Sequence, residues 1–289
     1  MTNIAVIMTS HNRREKTLQC LRSLHASAVG VQNLTYQVFL VDDGSTDGTA
    51  EAVTAIGLSV NVIEGRGDLF WNRGMVQAWS AALSHDEAFD GYLLLNDDTV
   101  LDQHALEHLL AVDAAYRCEA IVVGAVRDPH TGEGTYGGVI RLSRWHPGRV
   151  ERLPPSDRVQ TADTFNANCV YVPSSVADAV GILDSSYQHS MGDFDYGFRA
   201  RKRGFGVIVA PGTVGTCARN ATPGTWLDVT LPLKRRLTLL ESPKGLPRHE
   251  WRVFLRRHGA PAAAILAWVP TLRVVLSSFR ERAARTRRG

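Results

Sequence analysis

Over the first hundred residues, apolar runs alternate with amphipathic stretches. Ile4 to Met8 is continuously apolar and bounded by polar residues, the pattern of a central parallel strand. The polar segment Thr9-Ser-His-Asn-Arg13 follows, then a helix with Leu18, Leu21 and Leu24 on one face. Tyr36 to Val41 predicts a second strand, ending abruptly in Asp42-Asp-Gly-Ser-Thr-Asp-Gly48. Thr49 to Ile56 predicts a helix and Ser59 to Ile63 a third strand. Met75 to Leu83, with Trp79 and Leu83 four apart, predicts another helix, and Gly91 to Leu95 a fourth strand ending in Asn96-Asp-Asp98. This alternation predicts an α/β fold with a doubly wound, mostly parallel sheet. Each polar cluster stands at the carboxyl end of a predicted strand, where open α/β sheets bind their ligands.

The second half is less regular. Strands are expected at Ala120–Val126, Asn168–Val172 and Phe205–Ala210, and helices at Ser174–Ala179 and Asp193–Arg203. Gly132 to Trp145 suggests an exposed hairpin or loop, and the polar, Pro-containing stretch Arg149 to Asp163 a mobile surface segment. From about Asp228 the character changes. Trp251 to His258 is amphipathic and basic, and Ala260 to Phe279 is apolar but broken by Pro261, Pro270 and Arg273. That predicts an interfacial helical hairpin rather than a clean spanning helix.

Composition adds three points. With 44% hydrophobic and 21% charged residues the chain is globular rather than disordered. The net charge of +3 is uneven, because the chain is basic from Lys234 onward and ends with Arg280, Arg282, Arg285, Arg287 and Arg288. Such a tail suits lipid head groups or nucleic acid in general; beside apolar residues, peripheral contact with an anionic membrane is the expectation, without a nucleic-acid partner. Cys20, Cys118, Cys169 and Cys217 form no C-x-x-C pair, which argues against a zinc ribbon or disulfide framework and fits a reducing compartment. The first residues lack the basic start and long apolar core of a signal peptide, so a cytoplasmic location is expected.

Three segments carry candidate chemistry. A strand-end carboxylate such as Asp42 can accept hydrogen bonds from a nucleobase or ribose, while Asp47 suits a helix cap. The pair Asp97 and Asp98 can hold a divalent cation between two phosphates, since hard cations take oxygen ligands. At the start of a helix, Asp193 and Asp195 point in different directions. Asp193 is the candidate general base, and Asp195 the structural partner, within reach of Arg199. Trp71 is the favoured ring for stacking on a sugar, ahead of Trp145 and Trp226, and Asn166 and Asn168 could hold sugar hydroxyls. His104 and His108 are four apart on a helix but have no third ligand.

These segments, in this order, resemble family-2 glycosyltransferases of the GT-A fold, and among them bacterial cell-surface polysaccharide enzymes of the rhamnosyltransferase-like kind. The resemblance spans roughly residues 1–220 and rests on the Thr9–Arg13 loop, Val41 to Thr49, Gly65 to Gly74, Leu95 to Asp98 and Gly192 to Asp195. It implies that Thr9, His11, Arg13, Asp42, Arg66, Asp68, Asn72 and Asp97 serve the nucleotide. It also implies that Asp98 binds a Mg²⁺ or Mn²⁺ ion and that Asp193 is the catalytic base; Trp71, Asn168, Asp195 and Arg219 are expected in acceptor or supporting roles. The implied reaction is inverting transfer from a UDP- or dTDP-sugar to a glycan or lipid-linked hydroxyl. The implied organisation is a GT-A domain at 1–227, with a nucleotide half (1–110) and an acceptor half (111–227), followed by a basic amphipathic region at 228–289. Departures from the family pattern are Asn96 for the first Asp of D-x-D, Gly192 for a Glu, and no His within Val214–Asn220, where Cys217 and Arg219 stand instead. A decayed nucleotide- or carbohydrate-binding module is the alternative. A nucleotidyltransferase or NAD-dependent enzyme fits poorly, because the loop after the first strand contains no glycine.

Overall fold

Strand β1 (Thr2–Ser10) shows how the central sheet is buried on both faces. Ile4, Val6 and Met8 face one layer of helices, while Ala5 and Ile7 face the other, and all are fully buried. Without a solvent face, the alternation of a half-exposed strand disappears and a continuous apolar run remains. In this computed structural model the backbone is described for residues 1–286 and side chains through Arg280. The expected roles of Arg282, Arg285, Arg287 and Arg288 therefore lie outside the described residues.

The first half follows the β/α order: α1 (Arg14–Val29), β2 (Leu34–Asp42), α2 (Thr49–Thr54), β3 (Val60–Glu64), α3 (Phe70–Leu83) and β4 (Gly91–Leu95). Next come β5 (Val100–Leu101), α4 (Ala105–Ala115), β6 (Ala120–Val123), β7 (Val126–Arg127), β8 (Gly134–Tyr136) and β9 (Gly138–Arg141). They are followed by β10 (Val150–Arg152), β11 (Gln160–Thr161), β12 (Thr164–Phe165), β13 (Cys169–Pro173), α5 (Ser174–Val180) and α6 (Gly192–Lys202). The chain closes with β14 (Gly206–Val209), β15 (Gly215–Thr216), α7 (Leu233–Leu240), α8 (Arg248–Arg257), α9 (Ala263–Leu266) and α10 (Val269–Thr286).

Eight strands form the main sheet in the order β11-β14-β6-β13-β4-β1-β2-β3. Strands β1 to β4 are parallel to their neighbours within that group, whereas β13 runs antiparallel between β4 and β6. The sheet is thus mixed, and mostly parallel. Helices α1, α2 and α4 cover one face through Leu18, Leu21, Leu24, Val53, Leu106 and Leu109. Helices α3, α5 and α6 cover the other through Met75, Trp79, Val176 and Tyr196.

Two expectations are corrected here. Residues 149–163 are not a free surface segment: β10 pairs with β9, β11 pairs with the sheet edge at β14, and Leu153 packs on the core. Edge pairing satisfies their backbone groups, and no run of apolar residues is needed for that. Nor do residues 260–279 form a hairpin. Pro270 occupies the first turn of α10, where its missing N–H costs nothing, and the helix continues through Arg273.

Candidate active site

The polar ends of β1 and β4 meet the start of α6 in a cleft of about 310 Å³. Arg13, Trp71, Asn96, Asp97, Asp98, Asn168 and Asp193 all line it. On one wall, Arg13 Nη1 donates to Asp97 Oδ1 and to Asp98 Oδ2, both at 2.9 Å. Burial pushes the Asp97 carboxyl above the usual range; Arg13 pulls it back, and the Asp98 charge adds to the rise. The other Asp98 oxygen, Oδ1, accepts from the Cys217 thiol at 3.4 Å, and Asn168 Nδ2 donates to the same sulfur at 3.4 Å. Burial, with Asp98 beside it, pushes that thiol up to about 12, so it stays protonated. Asn96, standing where the family has an acid, accepts at Oδ1 from the Trp71 indole N–H at 2.8 Å and fixes that ring in the cleft wall.

Asp193 lines the same cleft from the start of α6. Its Oδ1 accepts from the Phe194 N–H at 2.8 Å and its Oδ2 from the Ala167 N–H at 3.4 Å. Burial nevertheless dominates and pushes the carboxyl up to about 6, since two peptide donors only partly replace water. Asp195 is in the opposite situation. It is fully buried and accepts from Arg199 Nε (2.7 Å), Arg257 Nη1 (2.9 Å), Tyr187 Oη (3.1 Å) and His258 Nε2 (2.8 Å). Burial alone would raise it, but the His258 bond and the Arg199 and Arg257 charges outweigh burial and hold it near 2. Burial also lowers His258, against the pull of Asp195. A neutral imidazole protonated at Nε2 fits, because its buried Nδ1 has no partner among the described residues and would strand a proton there. Through Arg257 and His258, the C-terminal helix α8 is therefore built into the support of α6.

The remaining candidates fall into two groups. Asp42 is buried at the end of β2, where its Oδ1 accepts from the Ser45 N–H at 3.1 Å. His11 is exposed and its Nδ1 meets the Asp43 carbonyl at 2.6 Å. Arg66 and Asp68 are exposed on the loop before α3. All four lie near the cleft's strand-end side but do not line it. Three others do not line it either. Thr9 is turned into the fold, against Gly74 of α3, where an added Cβ would meet Thr9 Oγ1 at 2.3 Å. Asn72 is fully buried and gives both amide hydrogens to the Asp184 (2.8 Å) and Tyr187 (2.7 Å) carbonyls, so it holds a loop instead of approaching a nucleotide. Arg219 is exposed and does not line the cleft, although Cys217 and Asn220 on either side of it do.

Two participants were not singled out from sequence. The Asp43 carboxylate accepts from the backbone N–H groups of Gly67 (2.8 Å), Leu69 (3.0 Å) and Phe70 (2.9 Å), tying the 65–70 loop to the end of β2. His189 lines the cleft just before α6, and burial, then the Lys244 and Arg13 charges, lower it to about 4. The polar run Gln188-His189-Ser190 immediately before Asp193 was the available signal. Gly192 also has a physical reason: a Cβ there would lie 1.7 Å from Asn72 Oδ1, so any side chain at the position must displace the Asn72 amide.

Among the described residues, no group of three His, Cys, Asp or Glu side chains is arranged to hold a metal by protein ligands alone. The carboxylates of Asp97 and Asp98 do fit a hard cation shared with a diphosphate, which keeps only one or two protein ligands. Arg13 would then have to yield part of its place between them.

The sequence matches the family model described as Glycosyl transferase family 2 over residues 5–177, more than half of the chain. Among solved structures, it is similar to the mannosyltransferase PcManGT from Pyrobaculum calidifontis in complex with GDP-Man and Mn²⁺. That likeness has a TM-score of 0.56 at 15% identity, over 99% of this chain and 75% of that one. It is also similar to GalNAc-T7 with UDP, GalNAc and Mn²⁺, with a TM-score of 0.59 at 15% identity over 78% of this chain. In that case it spans only 44% of the other chain. No curated protein matches. At these identities the structural likeness establishes the fold.

Proposed function

This chain belongs to glycosyl transferase family 2, and we propose that it is an inverting enzyme using a UDP- or dTDP-sugar to glycosylate a glycan or lipid-linked hydroxyl. The observation that carries the proposal is the presence, in one cleft, of a raised carboxylate together with an acidic pair that holds a guanidinium. Asp193 at about 6 is a carboxylate at neutral pH yet basic enough to take a hydroxyl proton in the transition state. Arg13 supplies positive charge beside Asp97 and Asp98 in the same cleft, where a departing diphosphate needs it.

In this mechanism the acceptor hydroxyl lies against Asp193 and attacks the anomeric carbon from the face opposite the nucleotide. Asp193 takes the proton as the new bond forms and the bond to the diphosphate breaks. Trp71, held by Asn96, offers a flat apolar wall to the sugar, and Asn168 offers an amide to its hydroxyls. The nucleoside runs toward the ends of β1 and β2, past His11 and Asp42, with Arg66 and Asp68 at the margin. A Mg²⁺ or Mn²⁺ ion would be held by Asp98 with Asp97, and would neutralise the diphosphate as a Lewis acid. Four free thiols are consistent with a reducing, cytoplasmic setting, and polysaccharide assembly at the cell surface is the pathway class proposed.

The test is calorimetry of UDP-, dTDP- and GDP-sugars with and without Mg²⁺ or Mn²⁺, followed by product analysis with candidate acceptors. Selective donor binding and an inverted anomeric product support the assignment. A folded protein that binds donor but neither transfers nor hydrolyses it would favour the decayed-module alternative, and one that binds no nucleotide would reject the donor site.

A further inference from the structure

Helix α10 leaves uncovered a face that a soluble helix normally buries. Its inner side is fixed to α7: the buried Arg236 donates to the Val274 carbonyl (3.4 Å), Ser277 Oγ (3.0 Å) and Ser278 Oγ (2.6 Å). On the other side Leu272, Leu276 and Phe279 are 56%, 58% and 60% exposed, at the i, i+4, i+7 spacing of a single stripe. Ile265 and Trp268 extend the apolar surface at the α9–α10 turn, 73% and 49% exposed. A groove of about 420 Å³ runs along Leu272 and Leu276, bordered by Arg273 and Arg280. At the end of the stripe the Arg248 guanidinium lies 3.7 Å from the centre of the Trp268 ring, with its charge paired to Glu241 at 2.9 Å.

Single exposed leucines are ordinary, but a contiguous apolar row marks a surface that something covers. Its borders indicate what. From Val269 through Arg280 the helix contains no acidic residue, so along the row the bordering charges are Arg273 and Arg280; beyond it the sequence has one Glu281 among Arg280, Arg282 and Arg285. Pairing with a second copy of this face would bring Arg273 and Arg280 toward their own equivalents, a like-charge arrangement. An anionic bilayer satisfies both features: apolar side chains enter the head-group boundary while arginines meet lipid phosphates. The window Ala263–Arg280, with mean hydropathy 1.3, has the length and composition to span a membrane. Against spanning, the inner side of α10 is polar and bound to Arg236, and Arg273 lies within that window.

We propose that α10 is a membrane-docking helix that seats the Leu272–Leu276–Phe279 stripe in the interface of an anionic bilayer, with Arg273 and Arg280 on lipid phosphates. The proposal is independent of the transfer reaction. The experiment is co-sedimentation of the full chain with phosphatidylglycerol/phosphatidylcholine vesicles and with phosphatidylcholine alone. Binding should be at least about tenfold stronger to the anionic vesicles and should weaken with salt. The double variant Leu272→Glu/Leu276→Glu keeps every arginine, including those beyond Arg280, and should lose most binding with melting temperature unchanged. Arg273→Glu/Arg280→Glu should weaken binding by about tenfold or more. Equal binding of the Leu272→Glu/Leu276→Glu protein would show that the basic tail alone is responsible and overturn the proposal. So would a concentration-dependent dimer abolished by those substitutions, which would make the occupant a second copy. Material in cell membranes that resists both high salt and alkaline carbonate would overturn it in favour of a spanning helix.

Discussion

Asp193 and Asp195 stand two residues apart at the start of α6, and their carboxyls titrate in opposite directions, the first pushed up to about 6 and the second held near 2. Asp193 is half-buried in the cleft wall and Asp195 fully buried, yet it is the more buried carboxyl that is lowered, so burial alone does not separate them. The difference lies in what replaces the water. Asp193 receives peptide N–H groups, whereas Asp195 receives Arg199, Arg257 and His258. Two carboxylates whose environments push them apart are the usual sign of divided roles, one for proton transfer and one for structure.

Asp193→Asn should leave donor affinity unchanged and lower kcat by about 10²–10⁴-fold, the usual worth of a general base. In the wild type, kcat/KM should fall as pH drops through about 6, because the base becomes protonated. The Asn variant should lack that acidic limb. A pH–rate profile checks both, and an unchanged limb in the variant would assign the titration to another group.

Asp195→Asn should destabilise the protein by about 1.5–3 kcal/mol near neutral pH, the range for hydrogen bonds to a charged group, since Arg199 and Arg257 lose a shared counter-charge while Arg257 keeps Asp184 and Arg199 keeps the Val180 and Ile182 carbonyls. The folded pKa is depressed from 3.8 to about 2, so the carboxylate's contribution is present above 3.8 and is lost as pH falls toward 2. His258, lowered from 6.5, removes stability from below that pH, because the unfolded chain takes up its proton first. Asp193 acts oppositely between about 6 and 3.8. Comparing wild type with Asp195→Asn by denaturant titration at several pH values isolates the Asp195 part. The gap should be widest above 3.8 and shrink below it.

Gly192→Ala should lower the melting temperature by several degrees, because its Cβ would fall 1.7 Å from Asn72 Oδ1 and no rotamer of a single methyl avoids that. Asn72→Ala alone should also destabilise, through its lost bonds to the Asp184 and Tyr187 carbonyls. Combined, the two should be milder than their sum, which a double-mutant cycle measures. Strict additivity would show that the contact is not what keeps residue 192 a glycine.

The parts of the fold that were legible in the sequence are those set by local pattern. Strands β1 to β4 appear as apolar runs because helices cover them on both sides, and Asp98 and Asp193 stand out as acids at a strand end and a helix start. The rest depends on partners distant in the chain. Asn72 resembles a ligand until the Asp184 and Tyr187 carbonyls are brought to it. Strand β11 has only two residues, and it is a strand because the β14 edge is open beside it. Asp195 suggests a pair with Arg199 by spacing, but nothing in the pattern near it announces Arg257 or His258.

Arg13 offers the last prediction, because one guanidinium nitrogen stands 2.9 Å from both Asp97 and Asp98, where a divalent cation would have to approach. The arginine is partly exposed, so water screens its attraction and a better-matched cation can displace it. In Arg13→Gln the two carboxylates lose their common counter-charge. Mn²⁺ should then bind the donor-free protein more tightly, by about tenfold if the lost attraction is near 1.4 kcal/mol. Donor turnover should fall at the same time, since the diphosphate loses a positive contact. Calorimetric titration with Mn²⁺, beside turnover at saturating metal, separates the effects. Unchanged Mn²⁺ affinity would show that the cation and Arg13 do not compete, and that the metal is recruited chiefly by the diphosphate of the donor.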